Sequence, residues 1–186
     1  AQLLETTDPM VVVNEMLIPA LDSAGKLFEQ GKIFLPQLIQ TAGVAQAAFE
    51  VIKTTLIQRD AAPVSRGEVV LATVKGDIHD IGKNIVRVLL ENYGYTVLDL
   101  GKDVPCQLVA DTAKEHNVKL VGLSALMTTT LGAMEETIQL VKAACPDCKV
   151  VVGGAVLTAD YAEKIGADFY AKDAMETVAV AKQIVG

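Results

Sequence analysis

Apolar positions along the chain change their period once. Up to about residue 58 they recur at steps of three and four: Val13, Leu17, Ala20, Ala24 and Leu27, then Leu38, Ala42, Ala45, Phe49, Ile52 and Leu56 after a break at Gly31-Lys32. Each set is one face of a helix, so residues 8 to 58 are predicted to form two helices packed side by side with a short connection. Asp8-Pro9 gives an N-cap followed by proline at the first helical position. Pro19, inside the first helix, predicts a kink or a division there.

Ala62-Pro63-Val64-Ser65-Arg66-Gly67 has no periodicity and reads as a linker. Beyond it, short apolar runs at 68–74, 95–100, 119–124, 148–153 and about 168–171 alternate with helical stretches at about 81–92, 106–116, 131–144, 159–165 and 174–185. Five β/α repeats predict a parallel sheet, and runs that are apolar throughout predict helices on both of its faces. The expected fold is therefore α/β: an N-terminal helical bundle cap over 1–62, a linker at 63–67, and a flavodoxin-like, Rossmann-type, doubly wound five-stranded sheet over 68–186. In strand order 2-1-3-4-5 the switch point lies between strands one and three, and the loops after those strands line one crevice.

Composition narrows the function. The chain has 186 residues, 51% of them hydrophobic, enough for a packed core. A net charge of -7, with no basic stripe and few aromatics, argues against a nucleic-acid partner. No apolar stretch is long enough for a membrane span, and no signal peptide opens the chain, so a cytoplasmic protein is expected. Three cysteines suggest free thiols, not a disulfide framework. The opening Ala1-Gln2-Leu3-Leu4, without an initiating Met, suggests a chain that begins inside a longer polypeptide.

The chemistry gathers at predicted strand ends. Asp77-Ile78-His79-Asp80-Ile81-Gly82 follows the first apolar run and contains one of only two histidines. It is neither a phosphate loop nor a dinucleotide fingerprint: five residues separate Gly76 from Gly82, Asn84 follows Lys83, and G-x-G-x-x-G is missing. A histidine with an aspartate two residues before it has the makings of a metal ligand whose other ring nitrogen is held by a carboxylate. One imidazole does not build a zinc site, because the rest of the chain offers only His116 and scattered carboxylates and thiols. It is sufficient for a metal already held by a macrocycle, where an axial position remains open.

Two further motifs complete the pattern: Ser124-Ala125-Leu126 with 41 residues between Gly82 and Ser124, and Gly153-Gly154 with 26 residues between Leu126 and Gly153. Together the three resemble the cobalamin-binding signature of methionine synthase and of the corrinoid proteins of methyltransferase systems. The resemblance extends to Phe28-x-x-Gly31-Lys32-x-Phe34-Leu35-Pro36-Gln37, similar to the family's cap domain, and so covers nearly the whole chain.

The resemblance implies cobalamin or a related corrinoid as cofactor, with His79 as lower axial cobalt ligand and Asp77 behind it. The cofactor's own lower base is displaced, and its nucleotide tail enters a slot lined by Gly82, Gly153, Gly154 and Ala155. It places Ile78, Asp80, Ile81 and Leu126 in the binding loops, Ser124 near the lower base, and Thr128 and Thr130 close to the cofactor. Thr130, where methionine synthase has serine, completes a relay with Asp77 and His79. Tyr170 and Ala174 are weaker candidates for the tail pocket. Phe28, Phe34, Leu35 and Ile39 would cover the upper face. The implied function is a methyl carrier, without catalytic residues of its own, shuttling a methyl group on cobalt. Its implied partners are a donor-specific methyltransferase, a second methyltransferase acting on a folate or thiol, and a reductive activase.

Plainer readings stand beside these. Ser124 and Thr130 suit helix capping, the cap aromatics suit a core, and Gly153-Gly154 suits a tight turn. Cys145-Pro146-Asp147-Cys148 precedes a strand and has no second pair, so surface thiols are expected; His116 is expected at a helix C-terminus without chemistry. Other functions with the same motifs are the small subunit of an adenosylcobalamin mutase and a cobalamin-dependent regulator. A cofactor-free interaction module is the remaining alternative.

Overall fold

The computed structural model describes residues 2–58 and 65–186. The expected boundary at residue 62, and positions 63 and 64 of the expected linker, lie outside the described residues. By internal contacts the chain separates into two compact units, Ala1–Ser65 with Glu91–Gly94, and Arg66–Leu90 with Tyr95–Gly186.

In the helical unit, α1 (Pro9–Val11) runs through a π-helical turn (Val12–Leu17) into α2 (Ile18–Glu29), and α3 (Leu35–Gln58) follows. The expected face of the first helix is corrected here. Ile18 donates its N–H to the Val13 carbonyl, five residues back, so the turn holds one extra residue. The buried positions therefore become Val13, Ile18, Leu21 and Ala24, while Ala20 and Leu27 face outward. The wide turn ends just before Pro19, which lacks the N–H of an ordinary α-type bond, so the expected kink takes the form of a π turn.

The end of α2 is a Schellman cap. Gly31, at φ +67°, donates to Phe28 O at 2.9 Å, and Lys32 donates to Leu27 O at 2.9 Å. Gln37 then caps α3, its Oε1 accepting the Phe34 N–H at 2.7 Å. On α3 the expected Leu38, Ala42, Ala45, Phe49 and Ile52 are all buried.

The second unit is a five-stranded, all-parallel sheet in the order β2-β1-β3-β4-β5. Its strands are β1 (Glu68–Thr73), β2 (Thr96–Asp99), β3 (Leu120–Ser124), β4 (Lys149–Gly153) and β5 (Phe169–Tyr170). The helices between and after them are α4 (Ile81–Asn92), α5 (Cys106–Glu115), α6 (Leu131–Ala144), α7 (Ala159–Lys164) and α8 (Ala174–Ile184). On one face Val70, Ala72 and Val74, with Val121, Leu123, Ala125, Val150 and Val152, pack against Val109, Ala113, Met134, Ile138 and Ala162 of α5, α6 and α7. The alternate residues of each strand point to the other face. α8 packs there against β3 and β4, and α4 shares it, because the winding reverses between β1–α4–β2 and the return to β3.

Cys145 and Cys148 are buried, which corrects the surface thiols expected for them. Both belong to the apolar core between the sheet and α5–α7, where a thiol behaves as a small hydrophobe. Burial is also the main force that raises the Cys148 thiol to about 12, with Cys145 and Asp168 adding to it. Among the described residues no helix is long and apolar enough to cross a membrane.

Candidate functional site

Parallel register aligns the ends of the central strands. Thr73 of β1 is paired with Ser124 of β3, and Ser124 with Gly153 of β4. All three lie on the face opposite the α5–α7 core, so the expected strand-end motifs form one row beneath the crevice. Ser124 is half-buried, and no side-chain cap bond is made at the start of α6 by Thr130.

Just beyond β1, Asp77 collects the loops. Its carboxylate is fully buried and, among the described residues, is held by hydrogen-bond donors, not by a lysine or arginine. Oδ1 takes the His79 N–H at 3.0 Å and lies 2.8 Å from His79 Nδ1. Oδ2 takes the Leu126 N–H at 2.6 Å, the Met127 N–H at 3.2 Å and faces the Thr130 hydroxyl at 3.3 Å. Burial pushes the carboxyl upward, but donation from His79, Leu126 and Met127 outweighs it and holds the group at about 2. Thr130 is buried, and its one hydroxyl proton points more closely at Met127 O, 2.9 Å away.

An anionic Asp77 fixes the histidine tautomer. Nδ1 carries the proton toward Oδ1, which leaves the Nε2 lone pair free. The His79 side chain is 47% exposed while Asp77 is 0% exposed, so a buried charge orients a ring that stands out of the surface. On the same strand-end loops Ile78 and Ile81 are 61% and 78% exposed, and Leu126 is also exposed, so apolar side chains face solvent on both loops that Asp77 joins. Asp80, half-buried, accepts the Asn84 N–H at 2.9 Å through its carbonyl and so starts α4. No group of three or more metal-ligating side chains exists among the described residues. A single oriented nitrogen, on loops that expose apolar side chains, fits a flat macrocycle whose metal needs one axial ligand.

The glycines divide by role. At Gly82 nothing lies within 4 Å of where a Cβ would be, so its missing side chain leaves open space. Gly154 has φ +138°, and a Cβ there would run into the Ala125 carbonyl; the fold itself requires glycine. At Gly153 a Cβ would stand 3.0 Å from the Ala171 carbonyl, and Ala155 beyond it is exposed. The Thr73 hydroxyl, fully buried in the same row, has no hydrogen-bond partner, a cost that a polar ligand atom or a water would relieve.

Other expected residues fall elsewhere. Tyr170 packs toward the α5–α7 core and its hydroxyl donates to Leu157 O at 3.2 Å, so the structure does not bring it to the row; its neighbour Phe169, in register with Val151, faces that side. Ala174 opens α8 on the row's side, and Thr128 is exposed in a single 3-10 turn. In the helical unit Phe28 and Leu35 are half-buried, Phe34 is 71% exposed and Ile39 is exposed, so none of the four is core.

Sequence reasoning missed Lys83. This buried cation lies 2.6 Å from Asp99 Oδ1 and 3.0 Å from Asn84 Oδ1, pinning α4 to the end of β2. A charged residue on the inner side of a helix one turn from Arg87 was the available signal.

Comparison with known proteins agrees with this geometry. The B12 binding domain profile matches residues 67–179, and a second B12 binding domain profile matches residues 1–53. A "Dimethylamine corrinoid protein 1" of Methanosarcina acetivorans is 42% identical over 96% of this chain and 84% of its own length. A "Trimethylamine corrinoid protein 1" of the same organism is 38% identical over 96% of this chain and 83% of its own. A cobalamin-binding protein from Desulfitobacterium hafniense superposes with a TM-score of 0.77 at 37% identity, covering 89% of this chain and 78% of that one. A chain of a methanol:cobalamin methyltransferase complex from Methanosarcina barkeri superposes with a TM-score of 0.82 at 30% identity, covering 98% of this chain and 70% of that one. The three aligned strand-end motifs, the lone oriented imidazole and these matches over nearly the full length make the chain a member of the B12-binding domain family, with cobalamin or a related corrinoid as its cofactor.

Proposed function

We propose that this protein is a corrinoid methyl carrier of a methyltransferase system, with His79 as the lower axial ligand. The carrying observation is the His79 ring, half exposed and held at Nδ1 by a buried carboxylate, which leaves Nε2 as the nitrogen to present. When bound, the corrinoid supplies a cobalt atom that accepts and gives up a methyl group. The protein's part is to supply and withdraw a nitrogen. With the ring held at Nδ1 by the buried Asp77 carboxylate, Nε2 would be the nitrogen offered to the metal, and the same contact would keep the ring oriented when that nitrogen is withdrawn.

The row of Thr73, Ser124 and Gly153, with the open space at Gly82, supports a slot for the nucleotide tail, which Leu126, Thr128, Ala155 and Ala174 would border. Phe28, Phe34, Leu35 and Ile39 leave apolar surface on the helical unit, which suits the lid role the proposal gives them. Two curated relatives are named for dimethylamine and trimethylamine and match almost equally well, which supports a methylated amine as donor without choosing among amines. The partners follow: a methyltransferase that loads the carrier, a second that passes the methyl group to a folate or thiol, and a reductive activase.

The test is methyl transfer with purified components. The reconstituted, reduced protein should be methylated by a cognate methyltransferase with a methylated amine, and demethylated by an acceptor methyltransferase with its thiol or folate. Stable corrinoid binding with no methylation by any donor enzyme would contradict the carrier reading.

A further inference from the structure

We propose that Asp103 is a positioning residue that fixes the loop carrying His79, and thereby governs how the imidazole is presented to the metal; the proposal rests on the reading of His79 as axial ligand. Asp103 lies between β2 and α5 with φ +52°, a left-handed conformation that costs any residue other than glycine and is most tolerable for Asn and Asp. The strained conformation has a use. It lets one residue grip the peptide ahead of the histidine from two directions: Oδ1 accepts the Gly76 N–H at 2.7 Å, and its own N–H donates to the Asp77 carbonyl at 2.9 Å.

The grip is anchored on the sheet. Val104, the next residue, donates to Thr73 O at 3.1 Å and forms an isolated parallel bridge with Val74. Asp77 donates its N–H to Val74 O at 3.0 Å, so both of its backbone groups are fixed. With the backbone held, the Asp77 carboxylate can reach His79 Nδ1 on one side and the Leu126 N–H on the other. Gly76 itself is at φ +84°, with the Thr130 methyl 3.3 Å from where a Cβ would stand. Orientation of the ring therefore passes from Asp103 through the Gly76 N–H and the Asp77 carbonyl to the Asp77 side chain.

Two substitutions separate the carboxylate from the backbone. Asp103→Gly keeps the left-handed conformation and the N–H to Asp77, and removes only the acceptor; Asp103→Asn keeps both conformation and acceptor. The full chain and both variants are loaded with cob(II)alamin at one fixed pH. The fraction of cobalt showing axial nitrogen coupling is read by electron paramagnetic resonance, and amide exchange of Gly76 is followed in the cofactor-free protein. D103G should exchange the Gly76 amide about fivefold faster or more. It should also cut the ratio of nitrogen-ligated to unligated cobalt severalfold, with total corrinoid bound unchanged, and D103N should restore both. Wild-type nitrogen coupling in D103G overturns the role of Asp103 alone. Absence of nitrogen coupling in the wild type overturns the His79 reading and this proposal with it.

Discussion

The Leu126 N–H donates to Asp77 Oδ2 at 2.6 Å, a single bond that joins loops 49 residues apart at the switch point of the sheet. Both oxygens of a buried carboxylate are thereby committed to donors. Replacing it by an amide sets an NH2 against an N–H at one oxygen, whichever way the amide is turned. Asp77→Asn should lower the stability of the cofactor-free protein at neutral pH by about 2 kcal/mol or more, measured by urea unfolding. A loss within a few tenths of a kcal/mol would mean that the network contributes little to stability.

The same carboxylate makes a signed prediction about acid. Its folded value of about 2 lies below the ordinary 3.8, so its contribution is fully present above 3.8 and is lost as pH falls through about 2. That shift corresponds to about 2 kcal/mol. The stability gap between the wild type and Asp77→Asn should shrink by that amount between pH 5 and pH 2, other carboxyls cancelling in the difference. A gap independent of pH would contradict the assignment.

The two glycine roles separate in a pair of variants. Gly154→Ala meets the Ala125 carbonyl at a backbone angle suited to glycine, and should cost about 2 kcal/mol or more in the cofactor-free protein. Gly82→Ala adds a methyl to open space at the start of α4, and should leave thermal stability unchanged or slightly raised. Its effect belongs to the ligand: corrinoid affinity should fall about tenfold, roughly the 1.4 kcal/mol of one badly placed methyl. Undiminished affinity in Gly82→Ala would place the tail elsewhere.

The buried C-x-x-C predicts slow chemistry. Cys148, raised to about 12, is almost entirely thiol at neutral pH, and Cys145 is packed in the same core. A disulfide reagent should label these two in the native protein only at the rate of unfolding, and at once in denaturant. Rapid labelling of either in the native state would contradict their burial.

Much of the fold could be read from the chain because its strands are buried on both faces. Runs such as Val69-Val70-Leu71-Ala72 admit few other structures, and the helical intervals set the parallel topology, so the order 2-1-3-4-5 was recoverable. The row of Thr73, Ser124 and Gly153 was only half visible: Ser124 and Gly153 stood in recognisable motifs, whereas Thr73 sat unmarked inside an apolar run. The register of β5 puts Phe169, and not Tyr170, on the row's side, a parity that a two-residue strand has too little pattern to fix in the sequence. The π turn escaped for a related reason, since Leu17 and Ile18 are both apolar and either can continue the face. Asp103 left no local trace at all: its partners lie 26 and 27 positions away, and nothing in Lys102-Asp103-Val104 announces a left-handed residue.

The central claim is one bond from His79 Nε2 to cobalt, and isotopic labelling tests it most directly. Protein reconstituted with cob(II)alamin should show each cobalt line split into a triplet by the axial nitrogen, and protein grown with nitrogen-15 histidine should show doublets instead. His79→Ala should lose the histidine-dependent splitting yet keep bound corrinoid. Triplets that survive histidine labelling, or no nitrogen splitting in the wild type, would contradict the account.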